Sequence, residues 1–88
     1  MKSRSEWSII LDILRIIYEE EKEGKVKKTR IMHKANLDWK NFQKRFNFLL
    51  DKELIESISD LEKGESYYLT EKGIDLMRRL REVEKILK

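Results

Sequence analysis

Residues 40–47 contain a dense set of side chains that can form hydrogen bonds with base edges. In the major groove, arginine and lysine donate to guanine acceptors, while asparagine and glutamine pair with adenine. Six of the eight residues are of these types: Lys40, Asn41, Gln43, Lys44, Arg45 and Asn47. A solvated helix face is the alternative interpretation, but such a face usually includes glutamates, and none lies between Trp39 and Lys52. The pattern favours a surface that reads double-stranded DNA.

The net charge of +3 conceals a strong asymmetry along the chain. Residues 25–52 hold nine lysines or arginines and two aspartates, so this segment carries +7 and the other sixty residues carry −4. Positive charge confined to a third of a small protein is typical of a nucleic-acid-binding surface, although a solvated lysine-rich surface is the alternative. The predicted phosphate contacts are Lys27, Lys28, Thr29, Arg30, Lys34 and Lys63.

Chemistry other than binding has little support in this sequence. The chain has no cysteine and one histidine, His33. Disulfides, thiolate metal sites and a cysteine nucleophile are excluded, and no second imidazole is present for a metal site or a proton relay. Neither a Gly-rich phosphate loop nor a Ser/His/Asp set occurs. We therefore expect no enzyme activity, no metal, no other cofactor and no small-molecule ligand.

Eighty-eight residues predict one domain, 1–88, that buries about 60–65% of its unfolded surface. Apolar residues recur at helical spacing over residues 5–22, with Ser5 as the N-cap and Gly24 as a C-cap just beyond. A short helix is predicted over 29–35. Thr29 could cap that helix, contact a phosphate, or do both, and Asn36 ends it because asparagine tolerates the left-handed conformation.

The candidate reading helix is predicted over residues 38–52, with Asp38 at its start. Five apolar side chains step by three and four along it, so one face should pack on the core: Trp39, Phe42, Phe46, Leu49 and Leu50. The base-reading side chains would then point toward solvent or a partner.

After Lys52 the period changes, and two β-prone runs around Gly64 predict a hairpin over residues 54–70. Three acidic residues near its turn, Asp60, Glu62 and Glu65, outnumber Lys63 and would repel a phosphate backbone. The hairpin could instead cover the core with Tyr68 and Leu69, or meet a protein. Tyr67 could stack or simply pack.

The last helix, predicted over residues 71–87 with Thr70 as its cap, has apolar residues at the spacing of a coiled-coil seam. An isolated helix of this length is marginal in water, so it must pack on something. The first helix has surplus apolar surface, which either the last helix or a second subunit covers. We expect a homodimer whose interface includes Trp7, Leu11, Leu76, Leu80, Val83 and Leu87.

The predicted fold is mainly α with a small β-hairpin: a winged helix-turn-helix with an additional C-terminal helix. Residues 29–56 closely resemble an archaeal winged-helix family that includes small dimeric chromatin-associated proteins and transcriptional regulators: they read TRIMHKANLDWKNFQKRFNFLLDKELIE. The run YYLTEKG at 67–73 is also similar. The family tends to carry an aromatic residue where Arg45 stands and a glycine where Glu53 stands. In dimeric members the resemblance implies an antiparallel coiled coil of C-terminal helices, whereas here we expect a compact dimer.

The sequence thus predicts a homodimeric double-stranded DNA-binding protein, an archaeal transcriptional regulator or chromatin-like architectural protein that inserts helix 38–52 into the major groove. Charged residues make up 42% of the chain, as in heat-adapted proteins. Apolar runs such as 9–11 are far shorter than the ~20 residues that span a bilayer. Residues 1–8 lack a signal-peptide pattern, so we expect a cytoplasmic, nucleoid-associated protein. The alternatives are a winged-helix protein-interaction module that does not bind DNA and, with less support, a ligand-gated repressor.

Overall fold

A computed structural model describes residues 5–62 and 64–87. Its elements, in chain order, are helices α1 (Glu6–Glu21), α2 (Lys28–Ala35) and α3 (Trp39–Asp51), strands β1 (Ile55–Asp60) and β2 (Gly64–Leu69), and helix α4 (Glu71–Leu87). The described chain is mostly helical with one antiparallel hairpin. The predicted fold class is therefore confirmed. Lys63, a predicted phosphate contact, lies outside the described residues.

Three of the predicted helix caps are confirmed. The Ser5 hydroxyl accepts a hydrogen bond from the Ser8 N–H at 3.1 Å, and the Asp38 carboxylate accepts one from the Asn41 N–H at 2.8 Å. Thr70 caps α4 by accepting from the Gly73 N–H at 3.0 Å. Each cap satisfies one of the N–H groups that the first turn of a helix leaves without an intrahelical partner.

Two predicted caps were wrong. The N-cap of α2 is Lys27, whose side chain makes no capping bond, so Thr29 lies inside the first turn of the helix. Helix α1 ends at Glu21 with Lys22 as its C-cap, and Gly24 follows two residues later with φ of 143°. In both places a lysine occupies the cap position, and the capping preferences of amino acids do not predict lysine there.

Helices α2 and α3 both end through a left-handed residue. Asn36 has φ of 55°, as predicted, and Glu53 has φ of 58° although it is not glycine. After α3, the Leu54 N–H donates to the Leu49 carbonyl at 2.9 Å and the Glu53 N–H to the Leu50 carbonyl at 3.0 Å. These two bonds form a Schellman motif, which turns the chain from α3 into β1.

The hairpin pairs Ile55 with Leu69 and Ser57 with Tyr67. Because side chains alternate across a strand, these residues share one face, and Tyr67 is buried against the ring of Phe46 at a centroid distance of 4.8 Å. Tyr68 lies on the opposite face and is half-buried, so the tyrosine that covers the core is Tyr67 and not Tyr68 as predicted. The Tyr67 N–H also donates to the Val26 carbonyl at 2.9 Å, which ties the α1–α2 connection to β2.

The core surrounds α1, whose Ile13, Leu14 and Ile17 are completely buried. Helix α4 packs along α1 of the same chain, so the last helix covers part of the surplus apolar surface of α1. At the base of α4, a Cβ on Gly73 would overlap the carbonyl of Leu54. None of the helices in residues 5–62 and 64–87 is long and apolar enough to cross a membrane.

Candidate nucleic-acid interface

Helix α3 packs one face on the core and leaves the opposite face open to solvent. Phe42, Phe46 and Leu49 are completely buried, and the rings of Phe42 and Phe46 stack at 5.0 Å. On the opposite side of the helix, Lys40, Lys44 and Asn47 are exposed at the i, i+4, i+7 spacing of a single stripe. This stripe, which we call the α3 ridge, presents two ammonium groups and one amide to solvent.

The predicted base-reading residues divide into two groups by burial. Lys40, Asn41, Lys44 and Asn47 are exposed, whereas Gln43 and Arg45 are half-buried. The prediction that all six point outward therefore holds for four. Hydrogen bonds along the helix account for part of this placement: Gln43 Nε2 donates to Asn47 Oδ1 at 3.2 Å, and Arg45 Nη1 donates to Asn41 Oδ1 at 3.3 Å.

These hydrogen bonds leave two buried polar atoms without a partner. Among the described residues, Gln43 Oε1 and Arg45 Nε are buried and form no hydrogen bond. Buried polar groups are normally paired, because an unpaired one loses its hydration without compensation. Asn41 in turn donates to Asp38 Oδ2 at 3.1 Å, so the chain Asp38–Asn41–Arg45 orients the guanidinium beside the ridge.

Two predicted phosphate contacts on α2 share an acidic partner. Arg30 Nε lies 2.8 Å from Glu20 Oε1, and Lys34 Nζ lies 3.0 Å from Glu20 Oε2. Hydrogen bonds from Arg30 and Lys34 lower the pKa of Glu20, so the carboxylate remains ionised. Both cations are exposed, but Glu20 offsets part of their charge. Thr29, between them and Lys28, is also exposed.

The connection before α2 partly offsets the acidity of the hairpin. Lys25 Nζ lies 2.7 Å from Asp60 Oδ2, and Lys27 Nζ donates to the Glu65 carbonyl at 3.3 Å. The other Asp60 oxygen accepts a hydrogen bond from the Glu62 N–H at 2.8 Å. Asp60 is thus already paired, which reduces the repulsion that the hairpin would exert on a phosphate backbone.

Among the predicted phosphate contacts in the described residues, Lys28 is the one that lies over aromatic rings. Its Nζ lies 5.1 Å from the ring centroid of Trp39 and 5.1 Å from that of Phe46. Both distances are within the range of cation–π attraction. Trp39 was predicted to pack in the core, but it is 55% exposed. Trp39 is the first residue of α3, where the helix extends past the core. Its position at the helix end is the sequence feature that could have indicated its exposure.

The predicted dimer residues lie at the open side of the α1–α4 pair. Trp7, Val83 and Leu87 are exposed, while Leu76 and Leu80 are half-buried. Leu11 is buried and lies in the groove that these helices form, so within one chain it belongs to the core.

Metal-binding side chains do not cluster in the part of the chain described. No three His, Asp or Glu residues among 5–62 and 64–87 lie close enough to hold an ion.

Sequence comparisons identify a family model and archaeal relatives that this chain is similar to. A protein-family model described as winged helix-turn-helix matches residues 3–88. An uncharacterized protein of Methanocaldococcus jannaschii is 42% identical over 84 residues, covering 96% of this chain and 77% of the relative. A second uncharacterized protein of that organism is 37% identical over 84 residues, and the match covers 96% of this chain and 36% of the relative.

Solved structures share the same architecture. Sso10a-2, a DNA-binding protein from Sulfolobus solfataricus, superposes with a TM-score of 0.76 at 28% identity and covers 94% of this chain and 81% of its own. The PcaV transcriptional regulator from Streptomyces coelicolor has a TM-score of 0.71 at 20% identity, over 83% of this chain. The match spans 51% of that regulator's length, so this likeness concerns the fold alone.

Proposed function

The chain belongs to the winged helix-turn-helix family, and on this premise we propose that it is a homodimeric protein that binds double-stranded DNA with α3 in the major groove. It acts as a transcriptional regulator or as a chromatin-like architectural protein in the cytoplasm, on the nucleoid. We propose no enzymatic role and no cofactor.

The observation that carries this proposal is the α3 ridge. Lys40, Lys44 and Asn47 project from the side of α3 opposite its buried aromatic residues. A major groove about 12 Å wide admits one helix, and these side-chain types pair with guanine and adenine edges. Asn41 and Arg45 lie beside the ridge and can add contacts once the Arg45 guanidinium leaves Asn41.

Affinity would come mainly from phosphate contacts around the ridge. Lys27, Lys28, Arg30 and Lys34 belong to the segment that carries +7, and Lys28 lies beside the Trp39 and Phe46 rings of α3. Each lysine or arginine that neutralises a phosphate releases a counterion, so affinity must fall steeply with salt. Sso10a-2, a solved structure of similar fold at 28% identity, is described as a DNA-binding protein, which supports the proposal.

The dimer would form through the open side of the α1–α4 pair. Trp7, Val83 and Leu87 are large apolar side chains exposed on neighbouring turns of these helices, and the Leu11 and Leu80 side chains line the groove between them. Contiguous exposed apolar surface of this kind is typical of a protein interface. Two copies would present two reading helices to successive turns of one duplex.

Fluorescence anisotropy with a labelled mixed-sequence duplex, titrated at several salt concentrations, tests DNA binding. We expect a log–log slope of about −4 or steeper for the natural sequence. Combining Lys40→Glu with Lys44→Glu should abolish binding at moderate salt. The matched control, Arg78→Glu with Lys85→Glu, makes the same charge change on the side of α4 away from Leu80 and should reduce affinity much less. Equal losses in both variants would refute the assignment of α3 as the reading helix.

A second candidate function is a protein-interaction module that does not bind DNA. Its support is the hairpin, where Leu61 is fully exposed and Ile58 is 52% exposed between acidic residues. This function predicts no duplex binding at low salt and a bound protein partner that is lost when the hairpin is shortened. Duplex binding that survives hairpin shortening would exclude it as the main role.

A further inference from the structure

Trp39 is an exposed aromatic residue in the middle of the basic segment. It follows the N-cap of α3 and precedes Lys40, the first residue of the ridge. Its ring lies 6.4 Å from that of Phe42, so one side is supported by the core while the remainder, 55% of the residue, faces solvent. Burying this ring against a ligand would remove a large apolar surface from water.

Lys28 lies against the same ring. Its ammonium group is 5.1 Å from the Trp39 centroid and 5.1 Å from the Phe46 centroid, and the residue is half-buried at the start of α2. A free lysine samples many rotamers and loses that freedom when it binds a phosphate. Two aromatic rings restrict this lysine beforehand, so less entropy is lost on binding.

We propose that Trp39 is a positioning residue of the DNA interface: it holds the Lys28 ammonium in place for a backbone phosphate and lays its exposed ring against the adjoining deoxyribose. The inference rests on the proposed function and adds a contact, between the Trp39 ring and a sugar, that the proposed function does not require. An aromatic ring offers a sugar a broad, rigid apolar surface, and the bound ammonium supplies the charge. The pair therefore serves DNA of any sequence.

Salt dependence separates this role from ordinary packing, because Trp39→Ala changes no charge. If Trp39 holds Lys28 for a phosphate, Trp39→Ala should reduce the magnitude of the salt slope by up to about 0.9 and weaken binding roughly fivefold to tenfold at 0.1 M salt. Lys28→Ala should reduce the slope by a similar amount. In the Lys28→Ala background, Trp39→Ala should change the slope no further. Trp39→Phe keeps a ring beside Lys28 and should restore most of the slope.

Three results would overturn the inference while leaving DNA binding intact. They are an unchanged slope in Trp39→Ala, a loss in Trp39→Phe as large as in Trp39→Ala, and the same slope loss with and without Lys28. A natural protein that shows no salt-dependent duplex binding would instead refute the proposed function, and this inference with it. Thermal unfolding of each variant by circular dichroism checks that a folded protein is compared.

Intrinsic fluorescence provides a second readout, because Trp7→Phe leaves both Trp39 and Lys28 unchanged. The chain has two tryptophans, and Trp7 lies on the α1–α4 surface with the same exposure as Trp39. In Trp7→Phe the emission of Trp39 should change when duplex is added, and potassium iodide should quench it less in the complex. In Trp39→Phe the emission of Trp7 should respond to duplex much less. If the emission of Trp39 does not change at saturating duplex, the inference is overturned.

Discussion

Glu20 shows how one side chain can tune the charge of the interface. Its two carboxylate oxygens accept hydrogen bonds from Arg30 and Lys34, and these cations lower its pKa. A group whose pKa is lower in the folded state stabilises the fold above its ordinary pKa, near 4.5 here, and that contribution is lost as pH falls through the lowered value. Because both cations are exposed, the effect of these pairs on stability should be small.

The effect of Glu20 on DNA binding should be larger than its effect on stability. Glu20→Gln removes the charge that offsets Arg30 and Lys34, so duplex affinity should rise about twofold to fivefold at 0.1 M salt, with a steeper salt slope. Glu19→Gln, an exposed neighbour with the same charge change, is the matched control. If anisotropy titrations show equal increases in affinity for the two variants, the change in net charge alone raises affinity, and the release of Arg30 and Lys34 from Glu20 does not.

The residue types of the interface could be predicted from the sequence, but their burial could not. Six base-reading side chains were identified by type, yet Gln43 and Arg45 fold along the helix toward Asn47 and Asn41. Helical periodicity also assigned Trp39 to the core, because a periodic pattern does not show where a helix extends past the core. Pairing of Arg30 and Lys34 with Glu20 joins residues on different helices, which no local pattern reveals.

At the scale of elements, the junction of α3, β1 and α4 sets the position of α3. The Thr70 hydroxyl donates to the Glu53 carbonyl at 2.7 Å while it caps α4, and the Thr70 N–H donates to the Leu54 carbonyl at 3.1 Å. Gly73 packs against that same Leu54 carbonyl. The start of α4 is therefore tied to the end of α3 through Glu53 and Leu54.

Gly73→Ala should destabilise the protein, because its Cβ would overlap the Leu54 carbonyl and push α4 from the α3–β1 turn. The close approach is to backbone, which yields little, so we expect a loss of about 1–3 kcal/mol in the free energy of unfolding. Lys72→Ala, an exposed neighbour in the same helical turn, is the control and should change it by less than about 0.5 kcal/mol. Chemical denaturation measures both, and an unchanged midpoint for Gly73→Ala would contradict this packing.

The helices and the hairpin could be predicted from the spacing of apolar residues and from the polar residues that begin most of the helices. The change of period after Lys52 predicted the hairpin, and Ser5, Asp38 and Thr70 marked helix starts, because short polar side chains satisfy free N–H groups. The start of α2 could not be predicted in this way, since Lys27 makes no side-chain cap. Glu53 departs from the glycine expected at its position, yet the two Schellman bonds hold it in the left-handed conformation.

At the scale of the whole molecule, the basic segment and the apolar α1–α4 surface are separate features. The first contains α2 and α3, and the second holds Trp7, Val83 and Leu87. Charge distribution and surplus apolar residues predicted both features from the sequence. Which side of α1 the last helix covers depends on tertiary packing, so the sequence left open whether α4 or a second chain does so.

Dimerisation should depend on the exposed end of the α1–α4 surface. Val83→Glu combined with Leu87→Glu places two charges in the proposed interface and should convert a dimer to a monomer at tens of micromolar. Both residues are exposed within one chain, so helical content should be retained. Light scattering gives the mass, with Arg78→Glu and Lys85→Glu as the control on the other side of α4. A natural protein that is already monomeric at this concentration would contradict the dimer.

The most direct test of the central claim is whether Asn47 enters the major groove. The chain has no cysteine, so Asn47→Cys introduces a single thiol for disulfide cross-linking to duplexes with a thiol tether on cytosine N4 or on guanine N2. These atoms lie in the major and minor grooves, respectively. We predict cross-linking to the cytosine tether and much less to the guanine tether, with Lys85→Cys reacting with neither. Equal yields from the two tethers, or a higher yield from guanine, would contradict the placement of α3 in the major groove.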